Sequence, residues 1–310
     1  MAVDITIAIC TRNRAASLDR ALASMTRLTV PGGIGWELIV VDNNSSDATA
    51  GVIGKYRRIM PIRGEFEPRA GLSNARNRAV TAAKGDYILW TDDDVLVDSG
   101  WLSAYRDAFL RWPEAALFGG KVLPQLDEPV PQWLARCFPL VRDAFAYRDF
   151  GGEPLPLSIV DWVLPYGANY AMRMSEQRAH VYDPELGAAP GRARLGEETE
   201  VIRALLTAGK VGYWLPQAIV SHRVPRERQT LKEIGRFYRA AGETDAFQAR
   251  RAAKGEPRHL AAGLLRQNLR HAWQYRLHRL ISPPEIWIKA YRQYCKDAGA
   301  LGYWLRQTMC

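Results

Sequence analysis

The chain has 310 residues, 47% of them hydrophobic and 24% charged, a balance that excludes a disordered chain; its 25 glycines follow no triplet period, which excludes collagen. The length allows one large domain or a domain with an appendage. The net charge of +9 is uneven: Arg223 to Cys310 carries 18 Lys/Arg against 7 Asp/Glu, while the first 222 residues carry 24 against 26.

Asp4 to Cys10 (DITIAIC) reads as a β-strand followed by polar TRNR. Leu18, Ala21, Leu22 and Met25 then recur at helical spacing, with Ser17 as the expected N-cap. Trp36 to Val41 (WELIVV) is a second strand, stopped by DNNSSDAT. A helix is expected over 48–60, a short strand or loop over 61–68, and a helix over 71–83 with Gly85 beyond it. Tyr87 to Trp90 (YILW) is a strand that runs into three aspartates. This alternation predicts an α/β fold with a mostly parallel central sheet and helices on both faces. Ligands of such sheets sit beyond the carboxyl ends of the strands, where TRNR, DNNSSD and TDDD lie.

Pro124 to Pro156 reads as an ordered loop region with a short helix near Trp133. Residues 159–172 carry one or two strands, Glu197 to Ala208 a helix, and 211–214 and 218–220 short strands. Beyond Thr230 the pattern is helical over 230–253, 257–280 and 283–308. No run of about 18–20 apolar residues occurs, so no transmembrane helix is expected. Asp4 breaks any leader pattern. Cys10, Cys137, Cys295 and Cys310 are scattered without metal or redox spacing, as in a reduced, cytoplasmic protein.

Four clusters carry chemistry. Asp92, Asp93 and Asp94 repel one another unless a cation is near; a divalent ion shared with substrate phosphates would resolve this, and so would a solvated acidic turn. Strand alternation lets Asp92 and Asp94 face one ligand. Asp42, directly after a strand, can accept from a base or ribose, or can bond its own loop. Arg69, Asn74 and Arg76 surround a helix start, where anions are favoured, although a solvent-facing helix start reads the same way. Glu197, Glu198 and Glu200 complement a helix dipole; crowding would also suit one of them to act as a general base.

Taken together, these stretches resemble the family 2 glycosyltransferases of the GT-A fold. The matching segments are ITIAICTRNRAASLDRALASM, WELIVVDNNSSDAT, RAGLSNARNRAVTAAKGDYILWTDDDV, YGANYAMRM and LGEETEVIRALLTAG, in the family's order over about residues 3–225. The resemblance implies a GT-A catalytic domain over 1–225, with a nucleotide-binding half (1–120) and an acceptor-binding half (121–225). It places Thr11, Arg12 and Arg14 near the base and phosphates, Asp42 on the base, and Arg69 and Arg76 near ribose or phosphates. Asp92 and Asp93 belong to the nucleotide site in this reading. Asp94, with Asp92 and His222, would hold Mn²⁺ or Mg²⁺; His222 is as readily a structural histidine. Glu198 is implied as the base, with Glu197 as the alternative, because the family usually has Glu-Asp where this chain has Glu-Glu. Asn169, with Trp162 before it, falls on the acceptor and sugar side. The implied reaction is inverting, non-processive transfer from a nucleotide sugar, taken as UDP-linked, to a hydroxyl of a saccharide or lipid-linked saccharide. Surface polysaccharide or glycoconjugate assembly would use it.

Residues 226–310 form a basic, aromatic-rich helical region without the processive Q-x-x-R-W signature. Arg228, Arg236 and Arg239 could reach phosphate if this region folds over the donor site. Over 283–308, Trp287, Tyr291, Tyr294, Tyr303 and Trp304 alternate with Lys289, Arg292, Lys296 and Arg306. That suits either an anionic membrane surface, making the chain peripheral on the inner face of the cell membrane, or packing on the catalytic domain. Two other classes compete: a sugar-nucleotide or nucleotidyl transferase, against which no glycine-rich loop follows the first strand, and a non-catalytic polyanion-binding module. A nucleic-acid partner is not expected, since the aromatics form no stacking platform.

Overall fold

The structure, a computed structural model, describes residues 4–252 and 258–308. Contacts divide the chain into two compact units: Met1–Gln125 with Ala146–Pro190 and Gly196–Arg223, and Leu126–Phe145 with Gly191–Leu195 and Val224–Cys310. The second unit therefore takes in two segments from outside the basic C-terminal region.

The first unit follows the alternating pattern. It opens with β1 (Ile5–Thr11), α1 (Ala15–Met25), β2 (Trp36–Asp42), α2 (Thr49–Tyr56), β3 (Ile62–Phe66), α3 (Leu72–Ala82) and β4 (Tyr87–Asp92). After these come β5 (Val95–Val97), α4 (Trp101–Arg111), β6 (Leu117–Leu126), β7 (Leu155–Pro156), β8 (Asn169–Arg173), α6 (Met174–Ala179), β9 (Ala188–Ala189), α7 (Glu197–Thr207) and β11 (Gly212–Val224). The main sheet runs β3-β2-β1-β4-β8-β6-β11-β5, with β7 on β11. It is parallel among β3, β2, β1 and β4. Beyond β4 the pairs β4–β8, β6–β8 and β11–β5 are antiparallel, so the sheet is mixed and its parallel character belongs to the N-terminal half.

Side-chain alternation explains the layers. Ile7, Ile9, Leu38, Val40 and Leu89 point to one face, where α1, α2 and α4 bring Leu18, Leu22, Ile53, Trp101 and Tyr105. Ala8, Ile39, Val41, Ile88 and Trp90 point to the other, against Ala75, Ala79 and Val80 of α3 and Val201, Ile202 and Leu205 of α7. Two expectations are corrected. Helix α1 starts at Ala15, and Ser17 does not cap it; the Ala15 amide instead donates to Asp47 Oδ2 at 2.9 Å. The two short strands expected over 211–220 are one strand, β11, which runs through Pro216.

The second unit holds α5 (Gln132–Val141), β10 (Arg192–Ala193), α8 (Leu231–Ala252), α9 (Arg258–Ile281) and α10 (Pro284–Thr308). Its core joins Leu134, Cys137 and Val141 to Ile234, Tyr238, Trp287, Ile288, Tyr291 and Cys295. The aromatic residues Trp287, Tyr291, Tyr303 and Trp304 are thus buried, with Trp287 only 7% exposed. Of the two readings open for these aromatics, the membrane-facing one is not what is found on α10: the spacing Trp287, Tyr291, Cys295 is a core stripe. None of the described helices is long and apolar enough to cross a membrane.

Helices α8 and α10 cross closely enough to require glycine. A Cβ on Gly242 would lie 1.8 Å from the Lys296 carbonyl oxygen, and one on Gly299 would lie 1.9 Å from that of Arg239. Gly299→Ala should therefore lower stability by about 1–3 kcal/mol through overpacking, read as an earlier urea midpoint. An unchanged midpoint would show that the crossing is looser.

Candidate active site

The parallel register sets the site. Thr11 pairs with Asp42 across β1 and β2, and Cys10 pairs with Asp92 across β1 and β4. The carboxylates of Asp42 and of Asp92 to Asp94 are thereby delivered to one edge of the sheet. The loops beyond the strands are tied together. The Ser46 amide donates to Asn13 Oδ1 at 2.7 Å, and the Asn13 amide donates to Ser45 Oγ at 2.9 Å. Arg12 Nη1 donates to the Asn43 carbonyl at 3.0 Å. Buried Asn43, which sequence reasoning passed over, donates through Nδ2 to the carbonyls of Glu67 and Arg69 and accepts from the Gly71 amide. That one side chain fixes the loop bearing Arg69. Arg69 itself is exposed at the rim and paired with Glu67. Asp42 accepts from the Ser45 amide at 2.8 Å, the loop-capping role, and stays partly accessible.

The three aspartates have separate environments. Asp93 is buried, accepting from Thr11 Oγ1 at 2.7 Å and from Arg14 Nη1 at 2.6 Å. Thr11 and Asp93, both expected at the nucleotide, are thus buried and bonded to each other. Burial, reinforced by Asp94, pushes the Asp93 carboxyl up to about 7 despite Arg14. Arg14 Nη2 reaches Asp94 Oδ2 at 2.8 Å, so one planar guanidinium bridges two carboxylates. His222 Nε2, brought by β11, lies 3.4 Å from the same oxygen. Asp92, with 40% of its side chain exposed, faces outward.

Arg76, expected near ribose or phosphates, is a buried cation. It is 3% exposed and sits among the rings of Trp90, Tyr170 and Tyr182, 5.1, 5.7 and 5.5 Å from their centroids. Its Nη1 donates to Tyr170 Oη at 2.9 Å. Tyr170 and Tyr182 share a hydroxyl hydrogen bond, and Tyr182 donates to Gln177 Oε1 at 2.8 Å. Nη2 lies 3.9 Å from Asp92 and Nε lies 3.5 Å from Glu197. One buried positive charge thus stands between the aspartate cluster and the glutamates that open α7. Glu198 accepts from the Gly167 amide at 3.3 Å. A Cβ on Gly167 would come within 2.7 Å of Arg76 Nη2 and would push that guanidinium aside.

Two predicted residues do not join this cluster. Asn169 is fully buried: its Oδ1 accepts from Trp101 Nε1 and Tyr105 Oη, and its Nδ2 donates to the carbonyls of Lys121 and Ala218. Two lone pairs and two N–H groups are all engaged, so Asn169 is a core fastener and has no hydrogen bond left for a sugar. Trp162 lies on an exposed loop with Arg203 over its ring at 5.1 Å.

Asp94 and His222 are the donors best placed to hold a divalent ion, with Asp92 at the same edge. Among the described residues, no three His, Cys, Asp or Glu side chains converge into a closed metal cluster. A hard oxygen beside an imidazole fits Mn²⁺ or Mg²⁺ whose remaining ligands come from diphosphate oxygens and water.

Residues 6–153 match the sequence profile of glycosyl transferase family 2. The match takes in just under half of the chain, which is similar to this family there, and the chain has a GT-A fold. Asp42, Arg76 and Asp92 to Asp94 lie within the match; Glu197, Glu198 and His222 lie beyond it. The succinoglycan biosynthesis protein ExoM of Rhizobium meliloti (strain 1021) is 25% identical over 243 residues, 77% of this chain and 73% of the relative. The mannosyltransferase PcManGT of Pyrobaculum calidifontis, solved with GDP-Man and Mn²⁺, superposes with a TM-score of 0.56 at 16% identity, covering 96% of this chain and 74% of that one. S. aureus TarS 1–349, solved with UDP-GlcNAc, gives a TM-score of 0.57 at 15% identity, covering 99% and 92%.

Burial first, then the charge of Glu198, raises the Glu197 carboxyl from its ordinary 4.5 to about 8. A raised folded-state value means the stability contribution is full below the unfolded value and is lost as pH rises toward 8. Glu197→Gln should thus gain stability relative to the parent between about pH 4.5 and 8, by at most about 1.4 kcal/mol per pH unit. Thermal denaturation of both proteins across that window checks it, and a pH-independent difference would refute the buried, protonated Glu197.

Proposed function

We propose that the chain is a metal-dependent, inverting, non-processive glycosyltransferase that moves a sugar from a UDP-sugar to an acceptor hydroxyl. The observation that carries this reading is the position of Arg76, within 3.9 Å of Asp92 and 3.5 Å of Glu197. It couples a donor-side carboxylate cluster to an acceptor-side carboxylate pair. The catalytic domain is taken as residues 1–225, its nucleotide-binding half as 1–120 and its acceptor-binding half as 121–225.

In this reading Asp42 accepts from the base, and Arg12 and Arg69 border the nucleotide. Asp94 and His222, with Asp92, hold Mn²⁺ or Mg²⁺. The bound ion would neutralise charge growing on the departing diphosphate. Glu198 receives the acceptor proton as the hydroxyl oxygen bonds the anomeric carbon and the bond to the diphosphate oxygen breaks. A single displacement inverts that carbon and needs one base. Burial holds the Glu197 carboxyl protonated at neutral pH, which leaves Glu198 as that base. The neighbours titled with GDP-Man and Mn²⁺ and with UDP-GlcNAc support a nucleotide-sugar donor and a divalent ion. The relative named for succinoglycan biosynthesis supports a role in polysaccharide assembly; the acceptor is taken as a saccharide or lipid-linked saccharide. The chain then works in the cytoplasm, peripheral on the inner face of the cell membrane.

Transfer assays over a panel of nucleotide sugars and acceptors test the reading. Glu198→Gln should lower kcat by about 10²–10⁴-fold with little change in donor KM, while Glu197→Gln should retain more activity. NMR of the product should show an inverted anomeric configuration. A retained configuration, or full activity in Glu198→Gln, would overturn the assignment.

A further inference from the structure

The aromatic face of α10 is buried, so the membrane location proposed above needs another surface, and α9 offers one. In this helix Leu265, Leu269, Trp273 and Leu280 are exposed, Trp273 by 64% and Leu280 by 84%. At 3.6 residues per turn these four fall within an arc of about 80° on one side of the helix. Arg276 lies inside that arc. Arg266 and Arg270 border it on one side and Arg279 on the other, and all four arginines are exposed. The opposite side of the helix packs inward: Asn268 donates to the Tyr294 carbonyl, His271 is bonded to buried Asp297, and the Tyr275 ring meets Trp287 and Tyr291. Helix α9 therefore packs one side against α10 and presents an apolar stripe to solvent on the other. Ile281 at the helix end and Ile286 past the turn are exposed as well.

Charge decides what would cover this face. No Asp or Glu occurs from residue 257 to 284. A second copy docking face to face about a two-fold axis would set these arginines against their own counterparts. A purely polyanionic partner such as nucleic acid would answer the arginines and leave Leu265, Leu269, Trp273 and Leu280 in water. An anionic lipid surface satisfies both: the apolar stripe enters the acyl boundary, the indole sits at headgroup depth, and the bordering guanidiniums pair with lipid phosphates. We propose that the outward face of α9 docks the protein on an anionic membrane surface. This deepens the membrane location proposed above and does not depend on the transfer chemistry.

The test uses the full chain with vesicles of phosphatidylcholine alone or with about 30% phosphatidylglycerol. The parent should co-sediment with the anionic vesicles, release as salt rises, and stay in solution with the neutral ones. Arg266→Gln/Arg270→Gln should weaken partitioning by about thirtyfold, and Leu269→Gln/Trp273→Gln should weaken it at least as much. Both variants change exposed side chains, so their thermal midpoints should match the parent's. The proposal is overturned if the parent ignores anionic vesicles at low salt, or if either variant binds them as the parent does. It is overturned too if Leu269→Gln/Trp273→Gln dissociates a dimer in sedimentation velocity without changing vesicle binding, or if duplex DNA binds as tightly as vesicles and ignores that variant. A nucleoside-diphosphate thermal shift is run alongside. Its absence in a parent that still binds vesicles would sink the transferase reading and leave the docking face standing.

Discussion

The first unit depends on holding several carboxylates together in a poorly solvated place. Asp92, Asp93, Asp94, Glu197 and Glu198 converge on the edge of one sheet, where their mutual repulsion is little screened. Two guanidiniums answer it. Arg14 bridges Asp93 and Asp94 from the loop after β1. Arg76 stands behind Asp92 and Glu197 from α3, inside a cage of three aromatic rings. A buried ion pair of this kind is weak evidence for stability, because desolvating both charges costs about as much as their attraction returns. Its value is positional: it fixes where negative charge sits before any ligand arrives.

The surrounding architecture follows from that need. Parallel pairing of β1 with β2 and β4 brings three strand ends to one level, so residues about 80 apart in sequence meet. Asn43 and Asn13 cross-link the loops that leave those ends. Antiparallel β8 and β11 close the other half of the sheet; β11 carries His222 to Asp94, and the segment before β8 carries Gly167 to Glu198. Strand alternation sends Ile7 and Ile9 to one core and Ala8 to the other; at the end of β4 and in the turn that follows, Asp93 is buried while Asp92 and Asp94 stay partly accessible. Preorganised charge of this type needs no rearrangement when charge develops on a leaving group.

Much of this was legible in the sequence because it is local. The run ITIAIC, the loop DNNSSD and the strand YILW before three aspartates each declare themselves within a few residues. What was not legible depends on distant partners. Arg76 looked like an exposed helix start, and only Trp90, Tyr170 and Tyr182 make it a buried cation. Asn169 looked like a sugar contact, yet Trp101 and Tyr105 of α4 claim its oxygen. Helix α4 itself is a local signal, since Trp101, Leu102, Tyr105, Ala108 and Phe109 recur at helical spacing and are its buried face. On α10 the aromatics were visible but not the side they face. The i, i+4, i+8 spacing of Trp287, Tyr291 and Cys295 signals a core, and the solvent-facing stripe belongs to α9.

The central claim is that this carboxylate edge is built for a nucleoside diphosphate held with a divalent ion. Isothermal titration calorimetry of UDP, GDP and dTDP, with and without Mn²⁺, on the parent and on Asp94→Asn tests it most directly. The account predicts that at least one of the three binds the parent, about tenfold or more tightly with Mn²⁺, and that Asp94→Asn abolishes the metal effect while remaining folded. No binding of any nucleoside diphosphate to the folded parent in Mn²⁺, or an undiminished metal effect in Asp94→Asn, would contradict it.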